Sequence, residues 1–490
     1  MHRILLLSAI LAAVTQSATA QWVTFQDDTA TRLSLSSVGL NDGQEKDVAI
    51  ADFNHDFWTD VVVVRKLPFS VPGARQDVLL MNETGVLVDR TAELAPGFLA
   101  DLTDARDVLC TDLNMDGWED IVVATTFGDA PKFYRNLGVD GQGTWLGFVD
   151  ESSRIGPIGN QSMPFRMCAV SAGDVNGDAV PDLMFSNYNG GDDLLMINDG
   201  AGVFTDETVA RLGPLANVAF GTQNTIVDMD NDGDNDIVKI SSLFNAPPFG
   251  IGTFILWNDG TGHYSQFAQV PGTTQDYMFV VGKLDANNTR DLYVVLDPQD
   301  TIQLATVNGP QSLTWNGFEP NPSPRTAGFG GNAKLADIDN DGDLDLGIGP
   351  IDVDIANCGS PVEFTLLQNP GDGVLFDPWP GSQSQNFHTD PHDFAFLDIN
   401  NDGCLDIFMG LCTGWRVFIQ TNGNCFLLGD MNCDSVLDGR DIGPFVIGLI
   451  DRAGFVAMYP NCDLKHADFN SDLRLDSVDL NAFVARLLVS

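Results

Sequence analysis

A short acidic run that returns seven times restricts this chain to a repeat architecture. It reads DFNHDFWTD from Asp52, DLNMDGWED from Asp112, DVNGDAVPD from Asp174, DMDNDGDND from Asp228, DIDNDGDLD from Asp337 and DINNDGCLD from Asp398, with a shortened copy, LDANNTRDL, around Asp285. Successive copies lie 60, 62, 54, 57, 52 and 61 residues apart. A step of that size holds one four-stranded blade, and such units bury a continuous core only against their neighbours. Each run follows strand-like residues, as at 47–50, and precedes an apolar stretch, as at 61–64, 121–123 or 237–238. The acidic loop therefore joins two strands.

Two further signatures recur. An apolar strand ends in an Asn-containing turn at Asn82, Asn136, Asn198, Asn258, Asn308, Asn369 and Asn422, where Asn and Gly supply the positive φ of a tight hairpin. An F-x-D-x-T element stands at 204–208, loosely at 148–152, and again at 25–29, before the first loop. The last repeat has no such element of its own. The N-terminal strand is expected to fill that vacancy and close seven blades into a ring, which removes the exposed sheet edges.

In the intact loops, acid or amide side chains stand at positions 1, 3, 5 and 9, with a backbone carbonyl available at position 7. The candidate ligands are Asp52, Asn54, Asp56 and Asp60; Asp112, Asn114, Asp116 and Asp120; Asp174, Asn176, Asp178 and Asp182; Asp228, Asp230, Asp232 and Asp236; Asp337, Asp339, Asp341 and Asp345; and Asp398, Asn400, Asp402 and Asp406. Hard oxygen donors without His or Cys select Ca2+. Gly at position 6 permits a sharp turn, and Phe57 and Ala179 in its place predict weaker sites. The fifth copy is two residues short between Asp285 and Asp291, so calcium is not expected there. Solvated Asx-rich turns are the alternative reading.

These loops resemble the FG-GAP/VCBS repeats of integrin-α-like propellers over residues 21–427. The resemblance implies structural calcium at the blade loops and a binding or adhesion role.

Residues 430–441 (DMNCDSVLDGRD) and 468–479 (DFNSDLRLDSVD) place acid or amide at positions 1, 3, 5, 9 and 12, an EF-hand-like spacing. Each precedes a helical pattern, with Ile442, Phe445, Val446, Leu449 and Ile450 on one face, and Leu480, Phe483, Val484, Leu487 and Leu488 on another. Residues 428–490 resemble a type I dockerin. The resemblance implies Asp430, Asn432, Asp434, Asp438 and Asp441 as one ligand set, Asp468, Asn470, Asp472, Asp476 and Asp479 as the other, and a cohesin-like protein as partner. Ser435 and Leu473 replace the usual Gly, and Pro444 falls in the first helical turn, where proline is tolerated. Packing of the module on the propeller of the same chain is the alternative.

Residues 1–20 read as a secretory signal, with Arg3, an apolar core and Ala18-Thr19-Ala20 as cleavage site. The chain is expected to be exported, with no membrane span. Eight cysteines suit disulfides in that compartment, Cys433 with Cys462 first among them. With 24 basic against 68 acidic residues and a net charge of -44, nucleic acid is an unsuited partner.

The fold class is thus mainly β, a seven-bladed propeller with calcium-binding loops followed by a small α-helical dockerin- or EF-hand-like module. No catalytic residue is expected, since H-E-x-x-H, G-x-S-x-G and phosphate-loop motifs are missing. The cluster from His388 to His392 reads as a polar interblade loop rather than a metal or acid-base site. Trp118, Trp145, Trp315 and Trp379 could stack on sugars or pack between blades. The function expected is a secreted binding or adhesion protein presenting a propeller surface to a protein or glycan. A component of a polysaccharide-degrading assembly and a structural surface-matrix protein are the alternatives.

Overall fold

Val61, Val62, Val63 and Val64 are all fully buried, and a strand that is apolar on both faces has to be covered on both sides. In the computed structural model, that stretch and its six counterparts become the second strands of antiparallel blades, each sandwiched by its neighbours. The structure describes residues 22–34, 39–68, 71–158, 166–188, 190–296, 300–318, 332–349, 363–375, 387, 391–422, 425, 427–433, 437–459, 462, 464–469, 475 and 477–489.

Blade 1 runs Glu45–Ala51, Asp60–Lys66, Val78–Asn82 and Leu87–Asp89 from the inside outward, with Leu33–Ser34 added in parallel at its outer edge. The inner strands of blades 2 to 7 are Ala105–Thr111, Met167–Gly173, Asn224–Val227, Asp276–Gly282, Asn332–Ala336 and Pro391–Leu397. Blades 2 to 5 have four strands each, and blade 6 has three among the described residues. Every pair of neighbouring blades shares its own apolar cluster. Blades 7 and 1 are joined by Leu397, Phe408 and Trp415 against Val61, Val63 and Leu80.

The ring closes as the sequence predicts. Blade 7 consists of Pro391–Leu397, Asp406–Leu411 and Gly414–Asn422, and its fourth strand is the N-terminal Thr24–Asp27, paired antiparallel with Thr24 opposite Asn422. The side chains repeat the outer corner of the other blades. Thr29 Oγ1 donates to Asp27 Oδ1 (2.6 Å) and accepts from Val417 N (2.9 Å). Thr208 receives Leu195 N, Thr91 receives Leu79 N and Ser152 receives Phe133 N in the same way. The blade 1 corner, LVDRT at 87–91, lacks the phenylalanine and escapes the F-x-D-x-T pattern.

The C-terminal residues form helices Ile442–Ile450, Arg452–Met458 and Ser477–Val489. Their core is built on Phe445 and Phe483, stacked with centroids 4.2 Å apart, with Met431, Phe455 and Ala467. The apolar faces expected from the sequence are split. Phe445 and Phe483 are buried, whereas Ile442, Val446, Ile450, Val484 and Leu488 are exposed, because a module this small can cover only one narrow stripe of each helix. The middle helix, unforeseen in the linker, starts where Asp451 Oδ1 accepts from Gly454 N (2.9 Å).

Cys433 and Cys462 form the expected disulfide, with Cα atoms 5.7 Å apart. Cys404 pairs with Cys425, and Cys412 is also disulfide-bonded. Cys110 and Cys168 are free thiols, which corrects the expectation that the cysteines serve as disulfides. Both lie on inner strands. No helix among the described residues is long and apolar enough to cross a membrane. Residues 1–20 lie outside the described residues.

Candidate metal centres and the central channel

The loop acids fall into two classes that the spacing alone did not separate. Position 9 begins the second strand of each blade and is buried, as with Asp60, Asp120, Asp182, Asp236, Asp345 and Asp406. One oxygen accepts the backbone N–H of loop position 2, from Phe53, Leu113, Val175, Met229, Ile338 and Ile399, at 3.0 to 3.2 Å. The other accepts an N–H from the third strand, at Asn82, Asn136, Asn198, Asn258, Asn369 and Gln420, at 2.7 to 2.9 Å. Each such carboxylate ties loop, second strand and third strand together. Asp291 of the shortened fifth loop keeps both bonds, to Leu284 N (2.8 Å) and Ala305 N (2.7 Å).

Position 1 folds the loop itself. Asp52 accepts from Asp56 N (3.0 Å) and Phe57 N (2.8 Å), and Asp112, Asp174, Asp228 and Asp398 repeat the pair of bonds. Asp337 accepts from Gly342 N (2.9 Å). Position 6 has positive φ in all six full loops, at 68° for Phe57 and 67° for Ala179 as well as at Gly117, Gly233, Gly342 and Gly403. The missing glycines therefore do not change the loop shape; they add a local strain cost. Position 4 has positive φ too, at His55, Met115, Gly177, Asn231, Asn340 and Asn401.

The carboxylates converge most closely in blades 4 and 6. One oxygen each of Asp228, Asp230 and Asp236, and of Asp337, Asp339 and Asp345, lie within 4.8 Å of one another. Asp337 Oδ1 and Asp339 Oδ1 are buried and accept no hydrogen bond. Burial pushes Asp236, Asp345 and Asp406 up to about 8 and Asp120 up to about 7. The remaining positions follow the same plan, with Asn54, Asn114, Asn176 and Asn400 accepting the position 5 N–H of Asp56, Asp116, Asp178 and Asp402. Asp230 likewise takes Asp232 N, while the position 5 acids accept the position 7 N–H, as Asp341 does from Asp343 N. An oxygen-only set of this kind, with buried acceptors left unbonded, fits a hard divalent cation.

In the C-terminal loops, Asp441 accepts from Asn432 N (3.1 Å) and Asp438 N (2.9 Å), and Asp479 from Phe469 N (2.9 Å). Asp430 is buried and Asp468 lies nearby in sequence to Phe469. Asp438 accepts Arg440 Nε at both carboxylate oxygens, at 3.0 and 2.9 Å. Asp434, Asn470, Asp472 and Asp476 lie outside the described residues. The module touches the propeller: Arg486 Nη1 donates to Phe57 O (2.9 Å) with its guanidinium 5.5 Å from the Phe57 ring, and Lys465 stands 3.8 Å from Asp337.

The turn asparagines also divide. Asn82, Asn136, Asn198, Asn258 and Asn369 each donate Nδ2 to the position 2 carbonyl of the preceding blade's loop, at Ile399, Phe53, Leu113, Val175 and Leu284, at 2.7 to 3.0 Å. Asn308 and Asn422 do not: in blades 5 and 7 the equivalent positions are Ala305 and Gln420. The sequence carries one signal of this: a glycine follows Asn308 and Asn422 directly, whereas in the other five turns it stands two or three positions later.

The seven inner strands enclose a central channel containing a cavity of about 440 Å³. His392 lines it; its strand replaces the polar loop expected there. It is buried, its Nε2 is 3.1 Å from Cys412 Sγ, and burial pushes its pKa down to about 3. His388, Thr389, Asp390 and Trp379 lie outside the described residues. Trp118 is half-buried and stacks on His55 at 4.1 Å. Trp145 donates to Asn136 Oδ1 (2.8 Å), and Trp315 packs on the cluster between blades 4 and 5.

No curated protein matches the chain in sequence. Among solved structures, it is similar to an Agrocybe aegerita lectin described as recognising non-reducing terminal N-acetylglucosamine (15% identity, 68% of this chain and 79% of that one, TM-score 0.42). It is also similar to BBS1N in complex with ARL6DN (11% identity, 83% and 98%, TM-score 0.43) and to the V. cholerae biofilm matrix protein Bap1 (13% identity, 82% and 63%, TM-score 0.33). The FG-GAP-like repeat family matches residues 112–185, which span the second acidic loop through the second strand of blade 3.

Proposed function

We propose that this chain is an exported, non-catalytic binding protein whose propeller is held by calcium at the acidic loops and presents its surface to a protein or glycan. The FG-GAP-like repeat on a seven-bladed propeller suggests a protein of the binding or adhesion type. The observation that carries the calcium reading is the group of Asp337, Asp339 and Asp345, with two buried oxygens that accept no hydrogen bond. Bound calcium would neutralise the loop carboxylates and cross-link the strands they join. The candidate ligands in each loop are the acids and amides at positions 1, 3, 5 and 9. In the fifth loop, Asp291 supports the blade through its backbone bonds alone.

The test is metal analysis of the full chain after gel filtration, paired with thermal unfolding in calcium, magnesium and excess chelator. Bound calcium at several equivalents, and a melting temperature that falls on chelation and returns with calcium but not magnesium, is the expected result. An unchanged melting curve would refute the reading.

For residues 428–490, docking to a cohesin-like protein remains the reading that the resemblance supports. The contacts of Arg486 and Lys465 favour a second one, in which the module is seated on the loops of blades 1 and 6 of its own chain. Charge reversal by Arg486→Glu with Lys465→Glu separates them: release of the module, read as a larger hydrodynamic radius, supports the second.

A further inference from the structure

The antiparallel register identifies the residues that face one another around the channel. Asp47 lies opposite Val64, Asp107 opposite Ala124, Ala169 opposite Ser186, Met278 opposite Val295, Asn332 opposite Gly349 and Asp393 opposite Gly410. Each of those partners stands four residues after the position 9 Asp of its blade. Gln223 completes the level in blade 4, its carbonyl accepting from Ile240 N (3.1 Å). One level of the channel thus carries Asp47, Asp107, Ala169, Gln223, Met278, Asn332 and Asp393. The three aspartates are contiguous, on blades 7, 1 and 2.

Their charges are incompletely matched. Glu45 is paired with Lys66 (2.6 Å) and faces Arg106 (3.6 Å). Asp393 Oδ2 accepts from Lys334 Nζ (3.0 Å) and Val48 N (2.8 Å), but Oδ1 of this side chain, 4% exposed, accepts no hydrogen bond. Asp107 is held by Val108 N and Val170 N, both at 2.8 Å, and makes no direct ion pair among the described residues, Lys334 acting on it only from a distance. Asp47 makes no hydrogen bond among the described residues, and it lines the cavity between the other two. Burial, then the charges of Asp393, Glu45 and Asp107, raises its carboxyl well above the usual range, and burial brings Asp107 up to about 7. Arg106 and Lys334 line the same cavity, but its acids, Glu45, Asp47, Asp107 and Asp393, outnumber them four to two, so the channel favours one further positive charge.

A bare metal ion does not suit the place, since among the described residues no three carboxylate oxygens come within bonding range of one point there. The cavity is large enough for a small organic molecule. Gln223 and Thr225, on blade 4 across the channel, and Asn332, on blade 6 beside Asp393, offer neutral polar groups. We propose that the channel binds a small organic cation, one protonated amine seated against Asp47 between Asp107 and Asp393, with a hydroxyl- or amide-bearing body turned toward Gln223 and Asn332. The inference deepens the binding reading, by giving it a site and a ligand class, and does not depend on calcium at the loops.

The test is calorimetric titration of the calcium-saturated full chain with D-glucosamine and with D-glucose, which differ in the single amine, at physiological salt. Saturable binding of about one glucosamine, at least tenfold tighter than glucose, is expected. Asp47→Asn should weaken it at least tenfold, and Gln223→Lys, which sets an ammonium into the same level, should block it. Should Asp47→Asn fail to fold, Gln223→Lys decides alone. Equal binding of both sugars, binding untouched by Gln223→Lys, or no saturable binding would each overturn the proposal. Loss of calcium binding without loss of glucosamine binding would sink the loop reading and leave this one standing.

Discussion

Replacing Asn258 by alanine removes four hydrogen bonds, one of which joins two blades. Its Nδ2 donates to Val175 O (2.9 Å) in the blade 3 loop and to Asn235 O (2.8 Å) in its own, while Oδ1 accepts from Gly260 N (3.0 Å) and Gly262 N (2.9 Å). The side chain is 4% exposed. At about 1 kcal/mol net for each bond, with partial rehydration of the two glycine amides, the loss comes to about 3 to 4 kcal/mol. Asn308, which looks equivalent in the sequence, is exposed and bonds only Thr314 Oγ1 (2.6 Å), so Asn308→Ala should cost no more than about 0.5 kcal/mol. Urea unfolding of both variants in saturating calcium, followed by tryptophan fluorescence, measures the difference. Hydrogen exchange should show Gly260 and Gly262 losing protection only in Asn258→Ala. Equal midpoints for the two variants, or persistent protection of those glycines, would refute the interblade clamp.

Thr29→Val should cost about 1 to 2 kcal/mol, by leaving the Val417 N–H without its acceptor, and should match Thr208→Val at the corresponding corner of blade 3; a much smaller cost at Thr29 in urea unfolding would mean that the N-terminal strand is loosely held. Removing the Cys433–Cys462 bridge by a double serine substitution opens a loop of 29 residues, and loop-closure entropy sets the loss near 3.5 kcal/mol for the C-terminal module. Hydrogen exchange should register it around Phe445 and Phe483, with the blades unchanged. His392 is held neutral in the fold, with a pKa of about 3 against 6.5 ordinarily. The unfolded chain binds the extra proton below pH 6.5, so this stability is present above that pH and is lost as the pH falls. Between pH 6.5 and 4.5 wild type should lose about 2.3 kcal/mol more than His392→Gln in urea unfolding; parallel curves would show that His392 is protonated in the fold.

The sequence by itself determined the number of blades, their period and the closure by residues 25–29, because all three are written in local patterns that repeat at fixed spacing. It also placed the Cys433–Cys462 bridge, since both residues fall within one small module. The loop acids were legible as a group but not in their roles. That Asp60 and its counterparts are spent on backbone N–H groups depends on the third strand lying beside the second, and the spacing of the acids carries no record of it. The displacement of Asn308 and Asn422 from the clamp position follows from Ala305 and Gln420 occupying it, a matter of register between strands. The interblade partners stand 83 to 85 residues apart in blades 2, 3, 4 and 6, and the channel level takes one residue from every blade. Asp47, Asp107 and Asp393 are unremarkable strand residues in the sequence; only the closed ring brings their charges to one side of one cavity, because adjacency around the axis is decided by the packing of whole blades and not by any segment of chain.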